Sequence, residues 1–287
     1  MSYANFIPTM WNEAIDRELE RLCVFVEDCN RKYEGQVKDK GESVKILGVG
    51  KPTIKSIAKS ARNNDIDSAE EIEDTSIIMQ INQIRYFNYK IGDIDKAQAV
   101  DGLMSALQEE TTEGLANEVD TYIAGMAKDS NVKQVYGTAK KVVTGTASSG
   151  EVNVLQALRD ARKMLTKNDV KANTKVVATV DADFEDLFVA EYENKNTNNS
   201  ENLKNGAIGM YHKMLIKSSN NVAVDGSGNS LIMVRTQRAI AFAKPLTHTE
   251  AYRPEKGFAD AVKGFILFDA KVVRPKEVVV LNVKYTS

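Results

Sequence analysis

The stretch YFNYKIGDIDKAQAV, Tyr86–Val100, sets how the rest of the chain is read. Aromatic and polar residues alternate through Tyr86–Lys90, the period of a β-strand. Gly92 ends that pattern. Asp95 and Gln98 then stand three apart, the spacing of a helix N-cap and its capping-box partner. The stripe that follows is Val100, Leu103, Met104, Leu107, Leu115, Val119, Tyr122, Ile123 and Met126. It keeps helical period over about thirty residues, a rod of about 45 Å at 1.5 Å per residue, and loosens near Thr111 and Gly114. It does not hold a clean heptad, so the expectation is one long helix and not a coiled coil. Only Gly92 and Asp93 separate the strand from the expected helix, an abrupt join that makes the helix an anchor for whatever precedes it.

What precedes it is unusual. From Tyr33 to Lys90, valine, isoleucine and tyrosine alternate with polar residues between Gly35, Gly41, Gly48, Gly50 and Pro52. This predicts long antiparallel strands with both faces rather polar, which cannot bury a core of their own. Val37–Gln83 is expected to project away from the body as a hairpin and to contribute little to the core. The charge is segregated. Arg31–Arg62 carries nine basic and three acidic residues, and Asn63–Asp74 carries six acidic and no basic ones. Two readings stand: solvated charge on an exposed loop, or two blocks that dock on complementary surfaces. The second makes Lys38, Lys40, Lys45, Lys51, Lys55, Lys59 and Arg62, with Asp65, Asp67, Glu70, Glu71, Glu73 and Asp74, candidate intersubunit contacts.

Upstream, Trp11, Ile15, Leu19, Leu22 and Val26 recur at helical spacing, so Thr9–Cys29 reads as one amphipathic helix. Downstream the pattern is α/β. Leu155, Leu158, Ala161 and Leu165 mark a helix ending near Asn168. Thr174–Val180 reads as a buried strand, DADFEDLFVAEY as a helix capped by Asp181, Asn194–Asn202 as a polar loop, and Val278–Val283 as a central strand. The core is expected from Leu103, Leu107, Leu155, Leu158, Val176, Val177, Phe265, Ile266, Leu267 and Val278–Leu281.

The 287 residues are 43% hydrophobic and 27% charged, with a net charge of −2. That is ordinary for a soluble globular protein and gives no global field for nucleic acid. No apolar run reaches the roughly 18 residues of a membrane helix, and the N-terminus has no signal-peptide core, so the expected site is the cytoplasm where the chain is made. Cys23 and Cys29, six apart, read as apolar fillers.

Catalytic patterns are weak. His212 and His248 have no cysteine or carboxylate neighbours at metal-ligand spacing, so no metal is expected. LGVGKPT, Leu47–Thr53, fails as a phosphate loop: Lys45 stands where the first glycine is needed, and Pro52 removes an amide. DGSGN, Asp225–Asn229, lacks the ligands of a calcium loop. DADFED imitates a carboxylate pair, but a capped helix start explains it. No nucleophile elbow or cysteine–histidine pair of recognised spacing occurs, and no cofactor is expected.

In order, FIPTMWNEAIDREL, NRKYEGQVKDKGESVKILGVGKPTI, YFNYKIGDIDKAQA, VVATVDADFEDLFV with NGAIGMYHKMLIKSSN, and GFADAVKGFILFDAKVVRPKEVVVL resemble the major capsid protein of tailed double-stranded-DNA bacteriophages, whose fold encapsulin shells share. The resemblance covers nearly the whole chain and implies an α+β fold. Its parts would be an N-terminal arm (1–32), an extended β-hairpin loop (33–91), a peripheral domain with the spine helix (92–150), an axial domain (151–264) and closing strands returning to the peripheral domain (265–287). It implies no catalysis and no cofactor. It implies self-assembly in hexamers and pentamers into an icosahedral shell, the virion capsid, formed in the bacterial host cytoplasm. Double-stranded DNA would be enclosed without sequence-specific binding, and no membrane would be involved. Many members carry a cleaved N-terminal scaffolding segment that this sequence lacks, so a separate scaffolding protein is implied, with a portal and decoration proteins as further partners. A lysine–asparagine crosslink known in some members does not map onto residues here. The alternatives are an encapsulin-like compartment and an unrelated α+β enzyme.

Overall fold

A computed structural model describes residues 8–34, 43–49, 54–57, 74–92, 103–193, 207–256 and 258–285. Helices occupy Pro8–Leu22, Val24–Glu27, Leu103–Gly125, Val154–Lys167 and Ala182–Glu193. The strands are β1 (Ser43–Val49), β2 (Asp74–Gln80), β3 (Gln83–Gly92), β4 (Lys133–Gln134), β5 (Lys140–Val143), β6 (Glu151–Asn153), β7 (Val176–Val180), β8 (Ala207–Tyr211), β9 (Met214–Ser218), β10 (Ser230–Thr236), β11 (Ile240–Tyr252), β12 (Ala259–Val272) and β13 (Val278–Lys284). The fold is mixed α+β, as expected.

The largest sheet is mixed, in the order β6-β5-β13-β10-β7-β9-β8, with the short β4 also beside β13. The apolar run Val278–Val283 lies in its interior, and the reason is that both faces of the sheet are covered. Successive side chains of a strand point to opposite faces. Val278 and Val280 of β13, with Leu231 and Met233 of β10, therefore join a core built from the N-terminal helices, the long helix and β11–β12. Val279, Leu281 and Val283, with Ile232 and Val234, join a second core against helices Val154–Lys167 and Ala182–Glu193. The two central strands thus serve two cores at once.

The second core sits where the periodicity placed it. Leu155, Leu158, Ala161 and Leu165 are fully buried, and the helix carrying them ends at Lys167 with Asn168 as its C-cap. Its N-cap is Asn153, whose side chain accepts from the amides of Leu155 and Gln156. Asp181 accepts from the Phe184 amide at 3.1 Å, so DADFED is a capped helix start, and it also accepts from the Tyr285 hydroxyl at 2.6 Å.

The N-terminal helix departs from expectation. It breaks at Cys23, whose backbone is extended (φ −74°, ψ 117°). The cause is Asp120 on the long helix. Its buried carboxylate accepts from the Val24 amide at 2.7 Å and the Phe25 amide at 3.1 Å, starting a second helix that the apolar stripe alone would have continued straight. Arg235 closes the other end of that short helix. Fully buried, it donates to the carbonyl of Asp28 at 2.6 Å and that of Phe25 at 2.7 Å, with its guanidinium 5.7 Å from the Phe25 ring. Lys244 and Thr247 of β11 both donate to Asp16, pinning the first helix as well. Cys23 and Cys29 are free, buried in this same core, and burial raises both thiols well above their ordinary range. They are apolar fillers that also donate to backbone, Cys23 to the Ala116 carbonyl and Cys29 to that of Phe25.

The core list needs three corrections. Phe265 and Leu267 are only partly buried, because β12 alternates and the fully buried side chains there are Ile266 and Phe268. Leu107 is also half-buried, and the long helix buries Leu115, Ala116, Val119 and Ile123 instead. That helix is unbroken past Thr111 and Gly114. Thr111 and Thr112 donate to the carbonyls of Leu107 and Gln108 one turn back, at 2.6 and 2.8 Å, so their hydroxyls need no partner outside the helix.

Candidate assembly surfaces

The hairpin forms as expected at its base. β1 and β2 pair antiparallel in unbroken register, from Ser43 opposite Gln80 to Val49 opposite Asp74. One expectation fails there. Val44 and Ile46 of β1 alternate inward with Met79 of β2 and Ile81, forming a small core on Ala241 and Ala243 of β11. The base of the loop is therefore part of the body, with one apolar and one polar face, and the expectation that Val37–Gln83 adds little to burial is corrected. The sparse apolar positions look unable to form a core only when their partners on β11 are left out.

Beyond that base, Ile54 and Ile57 are strongly exposed, Ile54 at 94%. Water contact at such side chains is unfavourable by about 25 cal/mol per Å² of apolar surface, which burial against a partner would recover. Lys45 lies on β1 opposite Ile78, exposed; Lys55 is exposed between Ile54 and Ser56; Asp74 begins β2 opposite Val49. The other ten candidate contacts, Lys38, Lys40, Lys51, Lys59, Arg62, Asp65, Asp67, Glu70, Glu71 and Glu73, lie outside the described residues, as do Asp95 and Gln98 of the expected cap and the loop Asn194–Asn202.

β3 is the return strand, and it forms one edge of a three-stranded sheet in the order β11-β12-β3. Its side chains alternate strictly. Arg85, Phe87 and Tyr89 turn towards the body: Arg85 pairs with Glu118 of the long helix at 3.1 Å, and Phe87 packs on the core. Ile84, Tyr86, Asn88 and Lys90 turn outward, with Ile84 at 55% and Tyr86 at 80% exposure. An edge strand with an apolar pair two residues apart on its outer face is a template for another chain. The sequence signalled the alternation but not which face is outward, because the deciding neighbours, β12 and the long helix, lie far along the chain. Phe258, before β12, is 85% exposed and had no sequence signal at all.

The register of this sheet depends on Gly264. It lies opposite Phe87 on one side and Thr249 on the other. A β-carbon there would sit 2.6 Å from the Phe87 ring and 2.8 Å from the His248 carbonyl oxygen, so Phe87 reaches the core only across a residue with no side chain.

Catalytic chemistry gains little support. Among the described residues, no group of three histidine, cysteine, aspartate or glutamate side chains is arranged to hold a metal. His248 lies against Phe265, ring centroids 5.6 Å apart. Asp225 of the DGSGN turn accepts from the side-chain amide of Asn229 at 2.8 Å and from the backbone amides of Asn229 and Ser227 at 2.9 and 2.8 Å, which together hold its carboxyl down at about 2 and account for it as a turn organiser. No described helix is long and apolar enough to cross a membrane.

No family model matches the sequence, and no curated protein does. Solved structures match across nearly the whole chain. One, from Mycobacterium phage Che8, is 28% identical, covers 90% of each chain and superposes with a TM-score of 0.68. The capsid structure of the cyanophage P-SCSP1u is 15% identical, covers 92% of this chain and 89% of that one, and has a TM-score of 0.66. The chain has the fold of a tailed-phage major capsid protein. A virus-like particle from Pyrococcus furiosus shares the architecture, at 10% identity, 96% and 98% coverage and a TM-score of 0.58. In this fold, Ile54 and Ile57 beyond β1 and Ile84 and Tyr86 on the outer face of β3 are exposed apolar side chains.

Proposed function

We propose that this protein is the shell subunit of a tailed phage, self-assembling into the closed capsid that encloses the double-stranded DNA genome. The observation that carries the reading is the capsid fold matched over nine-tenths of both chains at 28% identity. The surfaces agree with it: a hairpin rooted in the body presents exposed isoleucines, and an edge strand presents Ile84 and Tyr86. The mechanism is assembly through heterologous contacts that close into rings of five and six. The role is structural, with no turnover.

The finer assignments extend this reading. The charged blocks, Lys38–Arg62 and Asp65–Asp74, meet complementary surfaces of neighbouring subunits and fix their register. The chain divides at 32, 91, 150 and 264 into arm, loop, peripheral domain, axial domain and closing strands, with β12 running through the last boundary. A separate scaffolding protein, a portal and decoration proteins complete the particle, which forms in the host cytoplasm. An encapsulin-like compartment is the second reading, favoured by the match to the virus-like particle. Purified particles decide between them. Nuclease-protected double-stranded DNA in particles from infected cells supports the capsid, and a protein cargo without DNA supports the compartment.

A further inference from the structure

Helix Val154–Lys167 carries Arg159, Arg162, Lys163 and Lys167 at spacings of three, one and four, which places them along one side of the helix. They line a cleft of about 680 Å³ whose opposite wall is the β8–β9 turn, His212 and Lys213. Among the described residues, no carboxylate lines it. Like charges at these spacings repel by a few tenths of a kcal/mol per pair, so the arrangement is unfavourable as it stands.

Two further observations set this cleft apart from a merely basic surface. Arg162 is only 7% exposed. One of its terminal nitrogens, Nη2, donates to the Ala172 carbonyl at 3.1 Å, while the other, Nη1, is buried with no partner. Burial pushes the guanidinium down, and no acidic group offsets it. Leaving a buried charged donor unsatisfied is strongly unfavourable, and buried cations are ordinarily paired. The turn is strained as well. His212 and Lys213 both sit at positive φ, 51° and 63°, where hairpins usually place asparagine and glycine. The favourable interaction of lysine with a helix C-terminus accounts for Lys167 but not for a buried, half-partnered Arg162.

We propose that the cleft is a phosphate-binding site, in which Arg162 turns its buried Nη1 out to a phosphate oxygen and Lys163 and Lys213 close over the group from the helix and the turn. The phosphate supplies the charge and the acceptor that Arg162 lacks. Its source is either a free inorganic phosphate or a nucleic-acid backbone, since both present the same oxyanion.

The test is ligand-dependent thermal stability of the full chain, with phosphate or pyrophosphate replacing chloride at constant ionic strength, beside binding of a labelled duplex DNA. Phosphate should raise the midpoint of the wild-type protein above the chloride control. The exposed double variant Lys163→Gln/Lys213→Gln should fold normally and bind phosphate about ten- to a hundredfold more weakly, the loss of one or two charge-assisted hydrogen bonds. Arg162→Met should lose the phosphate response while remaining at least as stable as wild type in chloride, because it removes an uncompensated buried charge. Duplex binding that falls in the same variants identifies a nucleic-acid backbone as the source, and a response to the free anions alone identifies a small phosphate. Equal midpoints in phosphate and chloride for the wild type overturn the proposal, as does an unchanged response in the double variant, which decides the matter even if Arg162→Met fails to fold.

Discussion

Replacing Asp120 by asparagine should change how stability depends on pH, and the size follows from the structure. Asp120 is buried on the long helix, with its oxygens on the amides of Val24 and Phe25. Burial raises its carboxyl from 3.8 to about 6, against the opposing pull of those amides and of Arg235. The folded state therefore binds the proton more tightly than the unfolded chain. The stabilisation from this proton is fully present below about pH 4 and is lost as pH rises through about 6. Raising the carboxyl from 3.8 to about 6 corresponds to about 3 kcal/mol. The amide of the Asp120→Asn variant does not titrate, so the wild type should lose about 3 kcal/mol relative to the variant between about pH 4 and about pH 7. Urea unfolding of both proteins across that range measures the difference directly, and contributions from other titrating groups cancel in the comparison. A difference that stays flat, or that grows in favour of the wild type as pH rises, would refute the description of Asp120 as a desolvated cap joining the N-terminal helices to the long helix.

Three other outcomes are expected. Gly264→Ala should destabilise by about 1–3 kcal/mol in urea unfolding, the usual cost of overpacking, because the added methyl meets the Phe87 ring and the His248 carbonyl; a neutral substitution would show that the sheet register is looser than described. Replacing residues 50–73 with Asn-Gly should keep β1, β2 and the Met79 core and leave a cooperatively folding subunit that forms no shells by light scattering; normal shells from that variant would rule out the loop as an intersubunit clamp. Shell yield should fall as salt rises, since exposed charge pairs are screened over about 8 Å at physiological ionic strength; a yield independent of salt would remove the charged blocks from the assembly contacts.

The periodic elements were legible in the sequence because their burial is local in cause. Leu155, Leu158 and Leu165 repeat at helical spacing, and Val278–Val283 is apolar except for Asn282 because two cores cover its two faces. The break at Cys23 was not legible. It is imposed by Asp120 and Arg235, about a hundred and two hundred residues away, and the apolar stripe runs through it unchanged. The buried base of the hairpin was missed for the same reason, since Val44 and Met79 find their partners on β11. The charged blocks were legible as composition, but their assignment to assembly depends on other chains. The cationic side of helix Val154–Lys167 was readable as spacing. The unpartnered Nη1 of Arg162 became visible only in the folded structure, where Arg162 lines the same cleft as the β8–β9 turn.

The most direct measurement of the central claim is electron microscopy of the purified full chain, at concentrations where light scattering reports particles larger than one subunit of 31.7 kDa. The account predicts closed shells of uniform size whose surface resolves into rings of five and six subunits, with density for each hairpin lying on a neighbouring copy. A protein that remains monomeric at every concentration and salt tested, or particles in which the hairpin contacts only its own subunit, would contradict it.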